Sequence, residues 1–362
     1  MLCLVRFLTR FFDEVCRRMA DFAPEILITG SSGLTGSHTL YRLCSANRKV
    51  RALVKPGSNY RSRIREVFSW YTSNPDVLLK NVEFFEGDIT DVPNLEKAFE
   101  GIKKVFHIAA LISVRGRDRD SLFKINAEGT ANIVNLCLVN DISWLGYVSS
   151  VATLGPNPEG LVDEDYFWKY SPGKSNYALS KYSAEQEVWR GIEEGLPAVI
   201  INPSVIIGPS TGKTGSASIF YAVKKGLPYF IRGASGYVDV RDVASALIKL
   251  EEKNIVGQRF IVSSENLQTP VFIEKIAKSL NVKAPKKEAP KLLLKVMLFF
   301  NGIASLAGKS PSITPAVVKM AEAIARYDNS RLKEVIDIEY YSVDEAIENT
   351  TKRMFPNASS KG

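Results

Sequence analysis

Three closely spaced glycines restrict the fold of this chain more than any other feature of its sequence. The apolar run EILIT (25–29), a predicted strand, leads directly into TGSSGLTG (29–36), a TGxxGxxG pattern at the start of a predicted helix. Gly30 permits a tight turn, Gly33 lets backbone amides approach a pyrophosphate, and Gly36 lets the helix pack closely on the strand. The free amides of the helix N-terminus add partial positive charge. The pattern predicts a dinucleotide-binding loop, with cofactor contacts at Gly30, Gly33, Leu34 and Gly36.

Short apolar runs alternate with helical patterns over most of the remaining chain. Apolar residues recur at spacings of three and four in 34–47, 119–140 and 177–194, which predicts helices. Strands that are apolar throughout and separated by helices are typical of a parallel sheet covered on both faces. The predicted class is therefore α/β, a Rossmann-type doubly wound parallel sheet. Its predicted strands are EILIT (25–29), VRALV (50–54), VEFFE (82–86), KVFHIA (104–109), WLGYVS (144–149), AVIIN (198–202) and RFIVS (259–263).

The pattern changes after residue 203. Proline and glycine become frequent between 203 and 236, and residues 270–352 are mainly helical in pattern, although the strand 259–263 still returns to the sheet. This order predicts a smaller, mostly helical and discontinuous substrate-binding part. The predicted division is an N-terminal extension (1–24), a dinucleotide-binding domain (25–203 with 238–263), a substrate-binding part (204–237 with 264–355) and a tail (356–362).

Two apolar segments bear on membrane contact. Residues 292–307 (LLLKVMLFFNGIASLA) are interrupted by Lys295 and Asn301, which makes them too short and too polar for stable membrane insertion. A buried helix is predicted there, with peripheral contact to a membrane or a lipidic ligand as the alternative. Residues 1–22 mix Phe and Leu with four arginines around an internal Met19. They favour a start of translation at Met19 over an amphipathic anchor.

The composition excludes several classes of site. Four cysteines without a CxxC spacing predict reduced thiols in a cytoplasmic protein, not a disulfide framework or a zinc site. The only histidines are His38 and His107, so neither a multi-histidine metal centre nor a Ser-His-Asp hydrolase is expected. The net charge is +8, but basic residues are interleaved with acidic ones, as in RGRDRD (115–120). That pattern predicts a solvated surface and no nucleic-acid partner.

The end of the second predicted strand bears on the choice of dinucleotide. A site that prefers NAD commonly carries Asp or Glu there, about twenty residues past the glycines, to bind the ribose 2′-hydroxyl. This chain has Lys55 instead, with Arg61 and Arg63 close behind. A cation at that place can pair with a 2′-phosphate. We predict NADP as the cofactor, with NAD as the alternative if these residues are only solvated loop charges.

The stretch NYALSKYSAE (176–185) places a tyrosine and a lysine four residues apart in a predicted helix. Tyr177 and Lys181 therefore share one face, whereas Tyr182 points elsewhere. Lowering a tyrosine pKa from about 10 to about 7 requires roughly 4 kcal/mol of preference for the phenolate, and an ammonium about 4 Å away supplies roughly that amount at an effective dielectric of about 20. Ser149 or Ser150 can add a hydroxyl, because active residues lie beyond the carboxyl ends of such strands.

Eight motifs occur in the order typical of one family: TGSSGLTG, GDI (87–89), HIAA (107–110), NAEGT (126–130), YVSS (147–150), YALSK (177–181), INPSVIIGP (201–209) and VDVRDVA (238–244). Over about residues 25–350 the chain resembles the extended short-chain dehydrogenase/reductases, also called the NAD-dependent epimerase/dehydratase family. The resemblance implies that Ser150 polarises a carbonyl, Tyr177 transfers the proton and Lys181 holds the nicotinamide ribose.

The resemblance also implies that Asp88 and Ile89 contact the adenine, that Ala109 lines the cofactor channel and that Pro203 approaches the nicotinamide. The spacing to the downstream TLG favours Ser150 over Ser149, which could be only a strand cap. A histidine at the position of His107 is usually structural in this family. Asp239 and Asp242 are expected to be cap and loop residues.

Within the family, VRALVKPGSN and VSSVATLGP look most like the branch of dihydroflavonol reductases and 3β-hydroxysteroid dehydrogenases. Sugar-nucleotide epimerases commonly have an arginine at the position of Ser235, so this departure weakens the epimerase alternative. Apolar candidates for the pocket, which suit a ring-bearing or lipidic substrate, are Leu111, Ile112, Phe220, Tyr221 and the predicted helix 292–307.

The expected function is an NADP-dependent oxidoreductase that moves hydride between the nicotinamide and a carbonyl or secondary alcohol. A nucleotide-sugar epimerase or dehydratase with tightly bound cofactor is one alternative, and a non-enzymatic NADP-sensing protein is another. The identity of the small-molecule substrate stays open. The oligomeric state also stays open, with a homodimer as one option.

Overall fold

The computed structural model describes residues 23–157, 160–166, 174–290, 293–294 and 315–356. The N-terminal extension as far as residue 22, most of the apolar segment 292–307 and the tail from 357 lie outside the described residues. The expectations for these segments therefore stay predictions. Within the described ranges, no helix is both long enough and apolar enough to cross a membrane.

Strands and helices alternate over the first two thirds of the described chain. The strands are β1 (Ile26–Thr29), β2 (Val50–Val54), β3 (Val82–Glu86), β4 (Lys104–His107), β5 (Trp144–Val148), β6 (Ala198–Pro203), β7 (Val205–Ile207), β8 (Tyr229–Phe230), β9 (Ala234–Asp239), β10 (Gln258–Val262), β11 (Glu265–Gln268) and β12 (Lys287–Glu288). The α-helices are α1 (Leu34–Ser45), α2 (Tyr60–Ser69), α3 (Pro75–Leu79), α4 (Val92–Phe99), α5 (Arg119–Leu122), α6 (Gly129–Val139), α7 (Asn176–Glu193), α8 (Ala217–Lys224), α9 (Val240–Glu252), α10 (Thr269–Ser279), α11 (Pro315–Glu322), α12 (Ser330–Val335) and α13 (Val343–Met354).

One large parallel sheet contains all seven strands that the sequence predicted. Its order is β10-β6-β5-β4-β1-β2-β3, and Ile28 of β1 lies opposite Ala52 of β2 and Phe106 of β4. The chain leaves β1 toward β2 on one side and later returns to β4 on the other. Ligands of such sheets bind outside the carboxyl ends of the strands at this change of direction. The topology therefore places the candidate site beside β1, β4 and β5.

Helices cover both faces of this sheet, as predicted for a doubly wound fold. On one face Leu40 of α1 shares a buried apolar cluster with Phe106 of β4. On the other face Val188 of α7 shares a second cluster with Leu27 of β1. Each such side chain contributes about 1.5–3 kcal/mol when it leaves water. The strands have apolar residues on both sides because both sides are buried.

Two small sheets accompany the helices of the later part of the chain. β9 pairs antiparallel with β11 and parallel with β7, while β8 pairs with β12. A third apolar cluster, which includes Phe220 of α8 and Phe272 of α10, packs α8, α10 and α13 around the three-stranded sheet. The mostly helical expectation missed these strands because they are short and lie among glycines and prolines. The residue boundaries of the two predicted parts stay a prediction.

Candidate active site

The glycine loop between β1 and α1 brings two backbone segments unusually close. Gly30 has φ +70°, and an added Cβ there would lie 2.7 Å from the amide nitrogen of Ala109. At Gly36 an added Cβ would lie 2.1 Å from the carbonyl oxygen of Gly30. Gly33 donates its N–H to that oxygen at 3.0 Å and caps α1, which begins at Leu34, without any capping side chain. A helix N-terminus with no side chain over it fits a pyrophosphate.

Gly36→Ala is expected to destabilise the protein by about 1–3 kcal/mol, because the new methyl group forces α1 away from the loop. The same displacement should weaken dinucleotide binding. Urea denaturation and thermal melting with and without NADPH measure the two effects. Gly116→Ala is the control, because an added Cβ meets no atom within 4 Å. A Gly36→Ala protein as stable as Gly116→Ala would contradict the close approach of α1 and the loop.

The predicted adenine-side residues lie past the ends of β2 and β3. The glycine loop reaches β2 through Ser31, whose hydroxyl donates to the carbonyl of Leu53 at 3.2 Å. Burial raises the pKa of Asp88, but hydrogen bonds from Thr90 and the positive charge of Lys55 outweigh burial and leave that pKa below its ordinary value. Ile89 is buried, and packs directly under helix α6. A carboxylate two residues past β3 thus lies near Lys55, which reasoning from the end of β2 alone did not reveal.

Ser150 and Tyr177 meet at the carboxyl end of β5. Ser150 follows this strand, and its Oγ accepts a hydrogen bond from the amide of Ala152 at 3.1 Å. α7 begins one residue before Tyr177, so the phenol extends from its first turn and lies next to the Ser150 side chain. Ser149 donates instead to Glu185 at 2.5 Å. Ser150 is therefore the serine placed beside the tyrosine, and its chemical role stays a prediction.

Lys181 lies one turn further along α7 and is almost fully buried, with 1% of its surface exposed. Its Nζ donates to the hydroxyl of Tyr147 at 2.7 Å and to the carbonyl of Val148 at 2.8 Å. Burial lowers the pKa of Lys181 to about 7, against the opposing charge of Glu185. The acceptors of this amine among the described residues are therefore the Tyr147 hydroxyl and the Val148 carbonyl in β5, and not the Tyr177 hydroxyl.

The spacing argument expected Lys181 to lower the pKa of Tyr177. Burial raises the pKa of Tyr177, and the nearby Ser150 hydroxyl only partly offsets the rise. Removing a phenol from water disfavours the charged phenolate. The lowered pKa is therefore not found, and Tyr177 is a neutral hydroxyl at neutral pH.

Sequence reasoning missed Tyr147 and Asn126. The Asn126 amide accepts from the Leu111 N–H at 2.7 Å and donates to the Ser180 hydroxyl at 2.9 Å, which ties the segment after β4 to α7. Asn126 lies in a π-helical turn, Phe123–Glu128, a feature that is frequent at functional sites. Tyr147 could have been found from the alternation of β5, which puts Tyr147 and Ser149 on the same face of the strand, toward α7.

His107 holds several segments together, in agreement with its expected structural role. Its Nδ1 lies 2.7 Å from the hydroxyl of Thr29, and its Nε2 lies 3.0 Å from the hydroxyl of Thr130. The Thr29 oxygen already accepts the amides of Ile108 and Ala109, so its own proton is given to Nδ1, and Nε2 carries the imidazole proton. Burial and the nearby Lys181 lower the pKa of His107 to about 3, so it stays neutral.

The remaining predicted cofactor contacts flank β5. Ala109 follows β4 on one side and Pro203 ends β6 on the other. These positions leave the carboxyl end of β5, with Ser150, between them. Contacts of Ala109 and Pro203 with the nicotinamide half of the cofactor stay predictions.

Asp239 caps α9 by accepting the amide of Arg241 at 2.7 Å, as expected.

A model of the NAD dependent epimerase/dehydratase family matches residues 26–262. The chain belongs to this family. It is an NAD(P)-dependent oxidoreductase of the extended short-chain dehydrogenase/reductase type, and it acts on a small molecule.

Similar proteins cover most of the chain. A dihydroflavonol 4-reductase-like protein of Synechocystis sp. is 28% identical over 330 residues, which are 88% of this chain and 91% of the relative. Sterol demethylase protein B of Methylococcus capsulatus is 29% identical over 245 residues, which are 66% of this chain and 70% of the relative. The crystal structure of gox2253 has a TM-score of 0.76 at 29% identity, and the match covers 92% of this chain and 98% of that chain.

Proposed function

We propose that this protein is an NADP-dependent oxidoreductase that transfers hydride between the nicotinamide and a carbonyl or secondary alcohol of a ring-bearing or lipidic small molecule. The observation that carries the proposal is the meeting of Ser150 and Tyr177 at the carboxyl end of β5, beside the buried amine of Lys181. NADPH supplies the hydride in the reducing direction. Ser150 and Tyr177 hold the carbonyl oxygen, and the hydroxyl proton of Tyr177 goes to that oxygen as the carbon receives the hydride.

The reducing direction is favoured because Tyr177 keeps its proton. Because burial raises its pKa, the tyrosine carries its proton at neutral pH and acts as an acid toward a carbonyl. The oxidising direction requires the phenolate. Burial disfavours that form, so the site supports reduction more readily than oxidation.

NADP is preferred to NAD because no acidic residue ends β2 and Lys55 follows it. The neighbouring Asp88 weakens this preference without cancelling it, since Asp88 also receives two hydrogen bonds from Thr90. Arg61 is directed partly to the rings of Phe84 and Tyr60, at 4.6 and 5.5 Å from their centroids. Lys55 is therefore the main candidate for pairing with the 2′-phosphate.

Lys55→Ala is expected to weaken NADPH binding about tenfold, because one charge-assisted hydrogen bond to a phosphate is lost. NADH binding should change by less than about twofold, since no phosphate stands at that place. Titration of nucleotide fluorescence measures both affinities. Lys278→Ala removes an equal charge from an exposed position of α10 and should alter neither affinity. Tighter binding of NADH than of NADPH by the unaltered protein would overturn the cofactor assignment.

The substrate class rests on the relatives and on the rim of the site. Dihydroflavonols and sterols, which appear in the names of two relatives, are ring-bearing compounds. Ile112, close after β4, is 63% exposed, as an apolar contact for such a compound would be before binding. Phe220, in contrast, is buried in the core of the later part together with Phe272 and presents no surface to a ligand.

NADPH oxidation with a panel of carbonyl compounds tests this function. The panel contains a dihydroflavonol, a 3-ketosteroid, a cinnamoyl thioester and, for the alternative reaction, UDP-glucose. Turnover of one of the first three is the expected result. Isomerisation of UDP-glucose without net NADPH consumption would identify an epimerase instead. Binding of NADPH without any turnover would favour the sensing alternative.

A cytoplasmic location and a homodimer stay predictions.

A further inference from the structure

We propose that Tyr147 is a positioning residue for Lys181. Its hydroxyl oxygen and the carbonyl oxygen of Val148 each accept one N–H of the lysine amine, which leaves the third N–H for the nicotinamide ribose. This inference rests on the proposed function, because it concerns the lysine of that site. Tyr147 itself contacts neither cofactor nor substrate in the proposal and acts only through Lys181.

The contact between Tyr147 and Lys181 is short and buried. Nζ lies 2.7 Å from the hydroxyl oxygen and 4.3 Å from the centroid of the ring, and both side chains are buried. A lysine amine has three donors and no acceptor, so each buried N–H without a partner raises the energy of the charged form. Two acceptors from adjacent residues of β5 therefore fix both the position and the charge of this amine.

The hydroxyl of Tyr147 is itself held in place by its neighbours. The ring of His107 stacks on the ring of Tyr147 at a centroid distance of 5.4 Å, and the hydroxyls of Thr130 and Ser149 lie near the Tyr147 hydroxyl. Thr130 in turn donates to the carbonyl of Asn126 at 2.5 Å. Because Thr130 gives its proton to that carbonyl and Ser149 gives its proton to Glu185, neither hydroxyl competes with Lys181 for the Tyr147 oxygen.

The charged and titratable groups that face the amine are few. Burial lowers the pKa of Lys181 to about 7, although the negative charge of Glu185, on the same helix, opposes this shift. From β4, His107 is neutral, and from β5 the pKa of Tyr147 lies well above its ordinary value, so its hydroxyl keeps its proton. Tyr177, on α7, is neutral as well. Because the pKa of Lys181 is near neutral pH, the loss of one hydrogen-bond acceptor is enough to change the charge of the amine there.

Tyr147→Phe tests the inference, because it removes one oxygen and keeps the buried ring. The ¹³Cε resonances of lysines are followed from pH 5 to 11 in protein labelled at lysine, and Lys181 is assigned by the signal that disappears in Lys181→Met. The expected result is a pKa of Lys181 about one unit lower in Tyr147→Phe, since a hydrogen bond to a charged group has been lost. A lower pKa means that the amine loses its proton at a lower pH. NADPH should therefore bind about tenfold more weakly at pH 8, with a smaller loss at pH 6.

Tyr237→Phe is the matched control, because Tyr237 is also a buried tyrosine but lies in β9, stacked on Phe272 at 4.0 Å. It should leave the titration of Lys181 and NADPH binding unchanged. An unchanged titration of Lys181 in Tyr147→Phe, in protein that melts as the control does, would overturn the inference. Failure of the unaltered protein to bind NADPH or NADH would instead refute the proposed function, and the lysine titration would still report on Tyr147.

Discussion

Tyr177→Phe is expected to lower the rate of carbonyl reduction by about 10²–10⁴-fold, because the variant has no proton to give to the carbonyl oxygen. NADPH binding should change by less than about twofold, since the ring, Lys181 and the glycine loop stay in place. The loss should therefore appear in kcat and not in the affinity for the cofactor. Single-turnover oxidation of bound NADPH, with whichever carbonyl compound the panel identifies, measures the chemical step directly.

Tyr182→Phe is the matched control for this experiment. It removes the same hydroxyl from the same helix, five residues later than Tyr177, on a face that the helical spacing directs away from Lys181. Its rate should stay within about twofold of the unaltered protein, as for most substitutions away from the reacting atoms. Equal rates for Tyr177→Phe and Tyr182→Phe would show that the proton comes from another group, and the proposed mechanism would be abandoned.

The second large effect is expected from Glu185→Ala, which should destabilise the protein by about 3–5 kcal/mol. Glu185 is 1% exposed and accepts hydrogen bonds from Ser149 at 2.5 Å, Thr153 at 2.9 Å and Asn202 at 2.9 Å. Arg259 also donates to it, at 3.1 Å. In Glu185→Ala all four donors lose their carboxylate acceptor. They stay in the interior, between α7 and the ends of β5 and β6. Urea denaturation should show the loss as a lower midpoint.

Glu187→Ala provides the comparison on the same helix. Glu187 pairs with Arg190 one turn later, at 2.9 Å, with 34% of its side chain exposed. An ion pair of this kind is worth about 0.3–0.5 kcal/mol, so the variant should unfold almost like the unaltered protein. Glu185→Gln should lie between the two, because the amide keeps one acceptor oxygen. If Glu185→Ala and Glu187→Ala unfold at the same urea concentration, the buried network does not stabilise the fold as inferred.

The seven strands of the large sheet could be predicted because their residues obey a local rule. A strand covered by helices on both faces needs apolar residues at every position, and runs such as VRALV and AVIIN satisfy that rule without reference to the rest of the chain. The pairs of short strands in the later part obey no such rule. β8 and β12 have two residues each and are defined by the segment they pair with, which is distant in sequence.

For the site, the sequence by itself determined what depends on spacing along the chain: the glycine turn at 30–36, the placement of Tyr177 and Lys181 on one helical face, and the serines at the end of β5. Helical and strand periodicity are enough to derive these. Only the tertiary structure decided that Ser150 meets Tyr177, that Ser149 bonds to Glu185, and that Lys181 rests on Tyr147. Those choices depend on the distance between α7 and β5. That distance results from the packing of the whole apolar core between them, and no short stretch of sequence contains it.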